Sequence, residues 1–224
     1  MSDPSPQVQH PAVSLSTSEL ENSSTGANYK REQILQGAMH VFLENGYAGT
    51  SMDRIAAEAG VSKQTIYSHF QDKEGLFTAL IERVTINRFQ MEFGLDPLQD
   101  EPALLLHQLA KTFLTKLVDQ EYISFIRLVI AESARFPELA QLYVSTVIQY
   151  GCYYLSRYFA SHPELNICDP EATARIFLGS LVAFVLSQEV LHGKHIMPFE
   201  QDRLVNNLIA CILNSAETPV PHPS

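Results

Sequence analysis

The stretch from Ser51 to Phe77 constrains the fold more than any other part of this 224-residue chain. Its apolar residues predict two short helices that meet near Gly60, with a third helix following at once. Ser62 and Asp72 stand where side chains cap helix N-termini, and glycine permits the sharp turn between the first two helices. This spacing predicts a helix-turn-helix, two short helices packed across a tight turn.

The remainder of the chain predicts an all-α protein, because helical periodicity recurs and no segment alternates like a strand. We expect a three-helix N-terminal unit, a long fourth helix and a C-terminal helical bundle, about nine helices in all. The first helix is predicted over 29–45. Five further helices are predicted near 98–118, 121–134, 137–160, 169–192 and 198–215. The predicted organisation is a disordered tail (1–28), a helix-turn-helix domain (29–75), a second domain (76–216) and a disordered end (217–224).

The charge distribution permits a nucleic-acid partner without requiring one. The whole chain carries 15 Lys and Arg against 25 Asp and Glu, a net charge of −10. Residues 29–75 are nearly neutral, with five basic and six acidic side chains. Within 61–70 the formal charge comes from Lys63 alone, so no acidic group there would repel phosphate.

The second helix of the predicted motif carries side chains suited to a DNA groove. In such motifs the N-terminal part of this helix reaches base edges, and here it contains Lys63, Gln64 and Thr65. Glutamine can read a base through paired hydrogen bonds, and lysine can reach a guanine or a phosphate. Tyr67 and His69 follow one turn later and suit contacts with phosphate or sugar. The alternative is an ordinary solvated helix face.

Phosphate contacts are also predicted at the edges of the motif. Thr50 and Ser51 place hydroxyl and N–H groups at the start of a helix, where anions bind. Lys73 supplies a further cation beside the proposed duplex.

The segment over residues 30–77 resembles the DNA-binding domain of the TetR family. The residues that carry the resemblance are Ala48 to Ala56, Gly60 to Phe70 and Lys73 to Phe77, preceded by Ile34, Leu35, Ala38, Phe42, Gly46 and Tyr47. The resemblance implies DNA contacts at the eight positions named above. Two features depart from the family: Gly37 stands where alanine is usual, and residues 1–28 contain no Lys or Arg.

The resemblance also implies a C-terminal domain that dimerises through its last two long helices. The helix at 169–192 is apolar around most of its circumference and must be covered on several sides. We therefore predict a homodimer held by a four-helix bundle, the alternative being a single-chain core. The predicted interface residues are Ile176, Leu181, Phe184, Val185, Leu204, Leu208 and Ile212.

A pocket for a small apolar or aromatic effector is expected among the helices between 98 and 160. Residues 125–139 resemble a subgroup of TetR-like regulators typified by repressors of multidrug efflux genes. The candidate lining residues are His107, Phe113, Phe125, Tyr150, Tyr153 and Tyr154. For each residue alone, an ordinary core or surface role is the favoured alternative, because aromatic side chains at helical spacing more often belong to a core than to a binding site.

No metal, cofactor or catalytic function is predicted. His192 and His195 lack a nearby Cys or carboxylate at ligand spacing, and the three cysteines are far apart. No apolar run reaches the length of a membrane span, and no signal peptide is apparent, so a cytoplasmic location is expected.

The sequence therefore predicts a bacterial transcriptional regulator, a ligand-responsive repressor that binds a pseudo-palindromic DNA operator as a dimer. One alternative is an activator or global regulator without an effector. A remote alternative is a helical enzyme or carrier, which would need chemical motifs that the sequence does not show.

Overall fold

A computed structural model describes residues 17–93 and 101–214 of the chain. Within these ranges the chain is helical and contains no strand, which confirms the all-α prediction. The α-helices are α1 (Thr17–Gly49), α2 (Met52–Ala59), α3 (Lys63–Phe70), α4 (Lys73–Val84), α5 (Ile86–Phe93), α6 (Pro102–Thr112), α7 (Gln120–Glu132), α8 (Pro137–Tyr143), α9 (Gln149–Ala160), α10 (Pro170–Val185) and α11 (Gln201–Asn214).

Three π-helical turns and two 3₁₀ turns complete these elements. Phe113–Leu117 extends α6, Val144–Ile148 joins α8 to α9, and Leu186–Val190 extends α10. The 3₁₀ turns are Pro163–Leu165 and Gly193–His195. If α8 and α9 are counted as one helix, and α4 and α5 as one interrupted helix, the described residues form nine helices, as predicted.

The first helix begins earlier than predicted. It starts at Thr17, so residues 17–28, assigned to a disordered tail, are helical in the structure. The sequence there contains no proline, the strongest helix breaker, and the weaker propensities of Gly26 and of the Thr and Asn residues do not stop the helix before residue 29. At its other end α1 bends at Gly46, whose φ of 68° is the positive value expected for a helix-ending glycine. Residues 1–16 and the predicted end at 217–224 lie outside the described ranges.

The fourth helix is interrupted, contrary to the prediction of one long helix. α4 ends at Val84, Thr85 leaves the helical conformation with φ −126° and ψ −83°, and α5 begins at Ile86. The Thr85 hydroxyl donates a hydrogen bond to the carbonyl of Ile81. Threonine side chains that bond to the preceding turn compete with the backbone and favour such breaks.

Two hydrophobic cores organise the molecule. The first joins α1–α4 to Phe125, Leu128 and Val129 of α7 and Leu139 of α8. The second lies among α6, α9, α10 and α11. The first core thus extends past the predicted domain boundary at residue 75, so α7 and α8 support the N-terminal helices directly.

One described helical segment, Pro170–Val190, is long and apolar enough by composition to cross a bilayer. Its buried side chains include Phe177 and Leu181, which pack into the second core. An apolar helix at the centre of a globular core meets the same compositional test, so this segment does not indicate a membrane protein.

Candidate nucleic-acid interface and internal cavity

The turn between α2 and α3 is tightly fixed. Gly60 has a left-handed φ of 63°, and the N–H of Val61 donates to the carbonyl of Ala56 at 3.0 Å. Gln33 of α1 donates to the carbonyl of Ala59 at 2.7 Å, tying the turn to the first helix. Ile66 of α3 is fully buried below it. These contacts fix the direction of α3 relative to α1 and α2.

The outer face of α3 presents polar side chains in an ordered first turn. Ser62 caps the helix, its Oγ accepting from the N–H of Thr65 at 3.0 Å and lying 2.7 Å from the Thr65 hydroxyl. Gln64 is exposed, and Tyr67 is 44% exposed. This face therefore offers an amide and a phenol to a partner, while the hydroxyl of Thr65 is engaged by the cap.

The ammonium group of Lys63 is paired within the protein. Its Nζ lies 3.0 Å from the Asp53 carboxylate, and this hydrogen bond raises the pKa of Lys63. Both side chains are substantially exposed. Lys63 must therefore share or exchange this carboxylate when it contacts an anion.

The two residues predicted to bind phosphate before α2 differ in accessibility. Ser51 is exposed and caps α2 by accepting from the N–H of Arg54 at 3.3 Å. Thr50 is only 4% exposed, and its hydroxyl donates to the carbonyl of Gly46 at 2.7 Å. The Thr50 side chain therefore stabilises the bend in α1 and does not present its hydroxyl to a phosphate, contrary to the prediction.

Lys73 also has internal partners. Its Nζ donates to the carbonyl of Tyr47 at 2.9 Å and to that of Thr50 at 3.2 Å, and lies 4.1 Å from the centre of the Tyr47 ring. Partial burial lowers its pKa. This arrangement ties the start of α4 to the turn before α2, so the structure gives Lys73 a supporting role beside the surface.

His69 lies apart from the first turn of α3. It is half-buried, its ring 5.9 Å from that of Phe70, and it lines a shallow groove together with Arg31 and Glu82.

The sequence analysis did not include Arg54 among the candidate phosphate-binding residues. Arg54 is an exposed cation on α2 whose guanidinium donates to Asn45 at 2.8 Å. Its position three residues after the cap Ser51 places it in the first turn of α2, near the predicted phosphate contacts, and this could have been read from the sequence.

A cavity of about 370 Å³ lies inside the C-terminal half. Its lining is mainly apolar and comes from the Thr85 region, α5, α6, α7, α8, α9 and α10, with the π-helical turns between or after them. Among the predicted lining residues, Phe113, Tyr150 and Tyr154 do line it.

The other three predicted lining residues do not face the cavity. Phe125 is fully buried in the first core, where its ring lies 5.3 Å from that of Phe77. Tyr153 and His107 are exposed. Positions 150 and 154 are four residues apart and share one face of α9, but 150 and 153 are also close enough to do so, so the packing of α9 decides which ring reaches the cavity.

Sequence reasoning also missed the polar groups of this cavity. The hydroxyls of Tyr122 and Tyr143 are 2.8 Å apart, and burial raises the pKa of both phenols, so they remain neutral near pH 7. Arg175, whose guanidinium binds Glu171 at 2.8 Å, is the charged side chain among the described lining residues. The lining therefore suits a largely apolar molecule with a few hydrogen-bonding groups.

Most of the residues predicted to form a dimer interface are buried within the single chain. The buried ones are Leu181, Phe184, Val185, Leu208 and Ile212, and Leu204 packs against the same core. Ile176 is 59% exposed. α10 has two apolar faces. Most of the residues predicted to contact a partner chain lie on the face that contacts α9 and α11 within the same chain. The outward face of α10 contains Ile176, Gly179, Val182 and Leu186.

The described residues contain no group of three or more side chains arranged to bind a metal ion. Nε2 of His192 lies 3.0 Å from the guanidinium of Arg127, which also donates to the carbonyls closing α10. His192 therefore belongs to the end of the α10 segment.

Comparison with known proteins gives matches to both halves of the chain. A sequence model of bacterial regulatory proteins of the tetR family matches residues 34–80, and one of the AefR-like transcriptional repressor C-terminal domain matches 105–215.

Individual relatives agree. The uncharacterised HTH-type transcriptional regulator YhgD of Bacillus subtilis is 30% identical over 170 residues, covering 73% of this chain and 86% of YhgD. The HTH-type transcriptional repressor AcnR of Corynebacterium diphtheriae is 43% identical over 58 residues, 26% of this chain and 30% of AcnR, so the match spans under a third of that relative. The structure of the flavonoid-responsive regulator FrrA has a TM-score of 0.68 and 26% identity, covering 84% of this chain and 97% of FrrA.

Proposed function

Because the chain belongs to the TetR family of bacterial transcriptional regulators, we propose that it is a ligand-responsive repressor. It binds a pseudo-palindromic operator as a homodimer in the cytoplasm. The observation that carries this proposal is the exposed face of α3, which is capped, rigidly supported and free of acidic side chains between Ser62 and Phe70.

The first turn of α3 enters the major groove in this proposal. Gln64 reads a base edge, Tyr67 contacts the backbone or a thymine methyl, and Lys63 exchanges Asp53 for phosphate or guanine. Ser51 and the N–H groups at the start of α2 bind a phosphate. Two such helices in a dimer lie about 34–36 Å apart, one turn of the duplex. Binding weakens as the salt concentration rises, to an extent set by the number of phosphates that Lys63 and the other cations of this surface neutralise.

The proposed dimer uses the outward face of α10. Ile176, Val182 and Leu186 are exposed large apolar side chains, and Gly179 between them permits close approach of a second helix. A Cβ at Gly179 would meet no atom within 4 Å in the single chain. Gly179 and Val182 also belong to the lining of the cavity, so this part of the face borders both the proposed partner and the cavity. Sedimentation that gives a monomer at micromolar concentration would contradict this part of the proposal.

The effector occupies the cavity of about 370 Å³. Its apolar walls and neutral tyrosine hydroxyls favour an apolar or aromatic molecule that carries hydroxyl or carbonyl groups. FrrA, a similar protein in structure, is a flavonoid-responsive regulator, which supports including flavonoids among the candidates. The effector releases the operator only if it binds the DNA-free arrangement more tightly than the DNA-bound one.

The DNA-binding proposal is tested by gel shift on the duplex upstream of the protein's own gene. We expect a salt-sensitive complex whose affinity falls at least about tenfold in the double variant Gln64→Ala and Tyr67→Ala, because both contacts to the groove are lost. The matched control is Gln108→Ala with Tyr153→Ala, two exposed residues of α6 and α9. Equal affinities of the two double variants would contradict the assignment of α3 as the reading helix.

The effector proposal is tested by thermal shift with a flavonoid, a long-chain fatty acid and an aromatic cation. A ligand at a hundred times its Kd stabilises the native state by about 2.7 kcal/mol. Val147→Trp fills the cavity from the π-helical turn between α8 and α9, and we expect it to abolish the shift while the DNA complex persists. A shift that survives in this variant would place the ligand elsewhere.

A further inference from the structure

A chain of ion pairs crosses the interruption between α4 and α5. Arg83, in the last turn of α4, binds Glu32 of α1 at 2.6 Å and Glu121 of α7 at 2.7 Å. Arg88, in α5, pairs with the other oxygen of Glu121 and lies 2.8 Å from the carboxylate of Asp119. One carboxylate, that of Glu121, therefore binds an arginine on each side of the break. We call these five residues the arginine clamp.

The arginine clamp is partly shielded from water. The side chains of Arg83, Arg88 and Glu121 are 19%, 22% and 30% exposed. Ion pairs at such positions are screened less than fully exposed ones, and a carboxylate that bridges two guanidiniums restrains both. The contact of Arg88 with Asp119 is an ion contact without hydrogen-bond geometry, so Glu121 is the better-directed partner of Arg88.

The arginine clamp is anchored in a rigid part of α7. Asp119 caps that helix by accepting from the N–H of Tyr122 at 2.8 Å, which fixes its first turn. Glu121 is the second residue of the same helix. Rotation of α4 relative to α5 would therefore break at least one bond to a fixed carboxylate.

The arginine clamp also lies next to the cavity. Thr85, Ile86 and Phe89, which line the cavity, flank the two arginines in the sequence. Tyr122, adjacent to Glu121, presents its hydroxyl to the same space. A molecule in the cavity thus contacts the chain on both sides of the ion pairs. At its other end α4 supports the helix-turn-helix through Lys73.

We propose that Glu121 is a positioning residue that sets the angle between α4 and α5 and so couples the cavity to the location of the reading helix α3. The proposal rests on the proposed function for its DNA measurement, whereas its structural measurement needs neither DNA nor effector. It predicts that loss of the Glu121 charge frees α4 while leaving the fold intact.

The structural test measures one distance within the chain. Spin labels are placed at Ser68→Cys on α3 and Thr115→Cys on the turn after α6, both exposed, with Cys152, Cys168 and Cys211 replaced by serine. The doubly labelled chain is diluted into excess unlabelled protein so that a dimer holds one labelled chain, and pulsed electron double resonance then gives the distribution of label separations within that chain. We expect Glu121→Gln to shift or broaden it. The matched control, Glu189→Gln, removes a carboxylate that is 22% exposed and pairs with the more exposed Lys194 just after α10, and it leaves the distribution unchanged.

The DNA test uses the same variants and the duplex upstream of the gene. We expect Glu121→Gln to weaken the complex about fivefold, the lower end of coupling effects between sites, and Glu189→Gln to have no effect. Arg88→Gln, which removes only the α5 side of the arginine clamp, should reproduce the change and serves if Glu121→Gln fails to fold.

The outcomes separate the two proposals. If the wild-type protein does not bind the duplex, the proposed function is contradicted, while the label distances still test Glu121. If the wild-type protein binds but Glu121→Gln and Arg88→Gln leave both the distances and the affinity unchanged, the role of Glu121 is wrong.

Discussion

Gly75, in the first turn of α4, is a residue whose missing side chain is needed for the fold. A Cβ there would lie 2.3 Å from the carbonyl oxygen of Phe70, far inside van der Waals contact with backbone. The N–H of Gly75 donates to Asp72 at 2.7 Å, and Gln71 before the cap has a positive φ of 61°. The backbone between the reading helix and α4 is therefore too tightly packed to make room for a side chain at position 75.

We predict that Gly75→Ala lowers the free energy of unfolding by about 1–3 kcal/mol, the usual cost of overpacking. Gly26→Ala is the control, since a Cβ at Gly26 meets nothing within 4 Å and alanine is the better helix former. Urea denaturation followed by circular dichroism measures both. Equal stability of the two variants would show that the link relaxes more easily than its geometry indicates.

Gly37 shows what a sequence argument misses at the scale of one residue. From helix propensity alone, a glycine at position 37 is expected to lower the stability of α1 by up to about 1 kcal/mol relative to alanine. In the structure a Cβ at Gly37 would lie 3.0 Å from the backbone nitrogen of Ala59, so glycine lets α1 approach α2 closely. Propensity could be estimated from sequence, but this contact joins residues that are 22 positions apart.

At the scale of elements, helix starts that carry a side-chain cap were predictable and helix irregularities were not. Ser62, Asp72 and Asp169 cap their helices through bonds to residues three positions ahead, which is a local pattern visible in the sequence. The interruption at Thr85 and the three π-helical turns leave the apolar periodicity intact. Sequence patterns therefore predicted continuous helices at these positions. Two of the π-helical turns, after α6 and between α8 and α9, line the cavity.

The cap of the reading helix gives a prediction at this scale. Ser62→Ala should lower the free energy of unfolding by about 1 kcal/mol and weaken DNA binding, because the cap also orders the hydroxyl of Thr65. Asp169→Ala removes an equivalent cap from α10 and should cost similar stability without weakening DNA binding. Denaturation and gel shift on both variants make the comparison. Equal DNA affinities would mean that the first turn of α3 is ordered without its cap.

At the scale of the whole molecule, the sequence predicted the class of fold and the location of α3, but not which apolar faces meet. Leu181 and Phe184 were assigned to a partner and lie in the chain's own core. Tyr122 and Tyr143 were not predicted to meet, because their hydroxyl contact depends on how α7 packs against the α8 segment. Periodicity identifies an apolar face, whereas its neighbour is decided by tertiary packing.

The buried tyrosines make the folded molecule sensitive to alkali. Burial, reinforced by nearby carboxylates, raises the pKa of Tyr47 from 10.0 to about 12, and burial also raises the pKa of Tyr122, Tyr143 and Tyr150. Between these values the native protein keeps protons that the unfolded chain has released. By linkage, the stability that these phenols contribute is fully present below pH 10 and declines as the pH rises toward 12.

We therefore predict that the free energy of unfolding falls between pH 10 and 12, with Tyr47 accounting for a decrease on the order of 2 kcal/mol. Tyr47→Phe keeps the ring stacked against Phe42, 5.6 Å away, but removes the ionisable hydroxyl, so its stability should decline less steeply. Tyr29→Phe, at an exposed position of α1, is the control. Denaturation at a series of pH values, with tyrosinate absorbance recorded in parallel, measures the slopes. If Tyr47→Phe and Tyr29→Phe have the same slope, the phenol of Tyr47 ionises in the native state as easily as in the unfolded chain, and its burial does not contribute to alkaline unfolding.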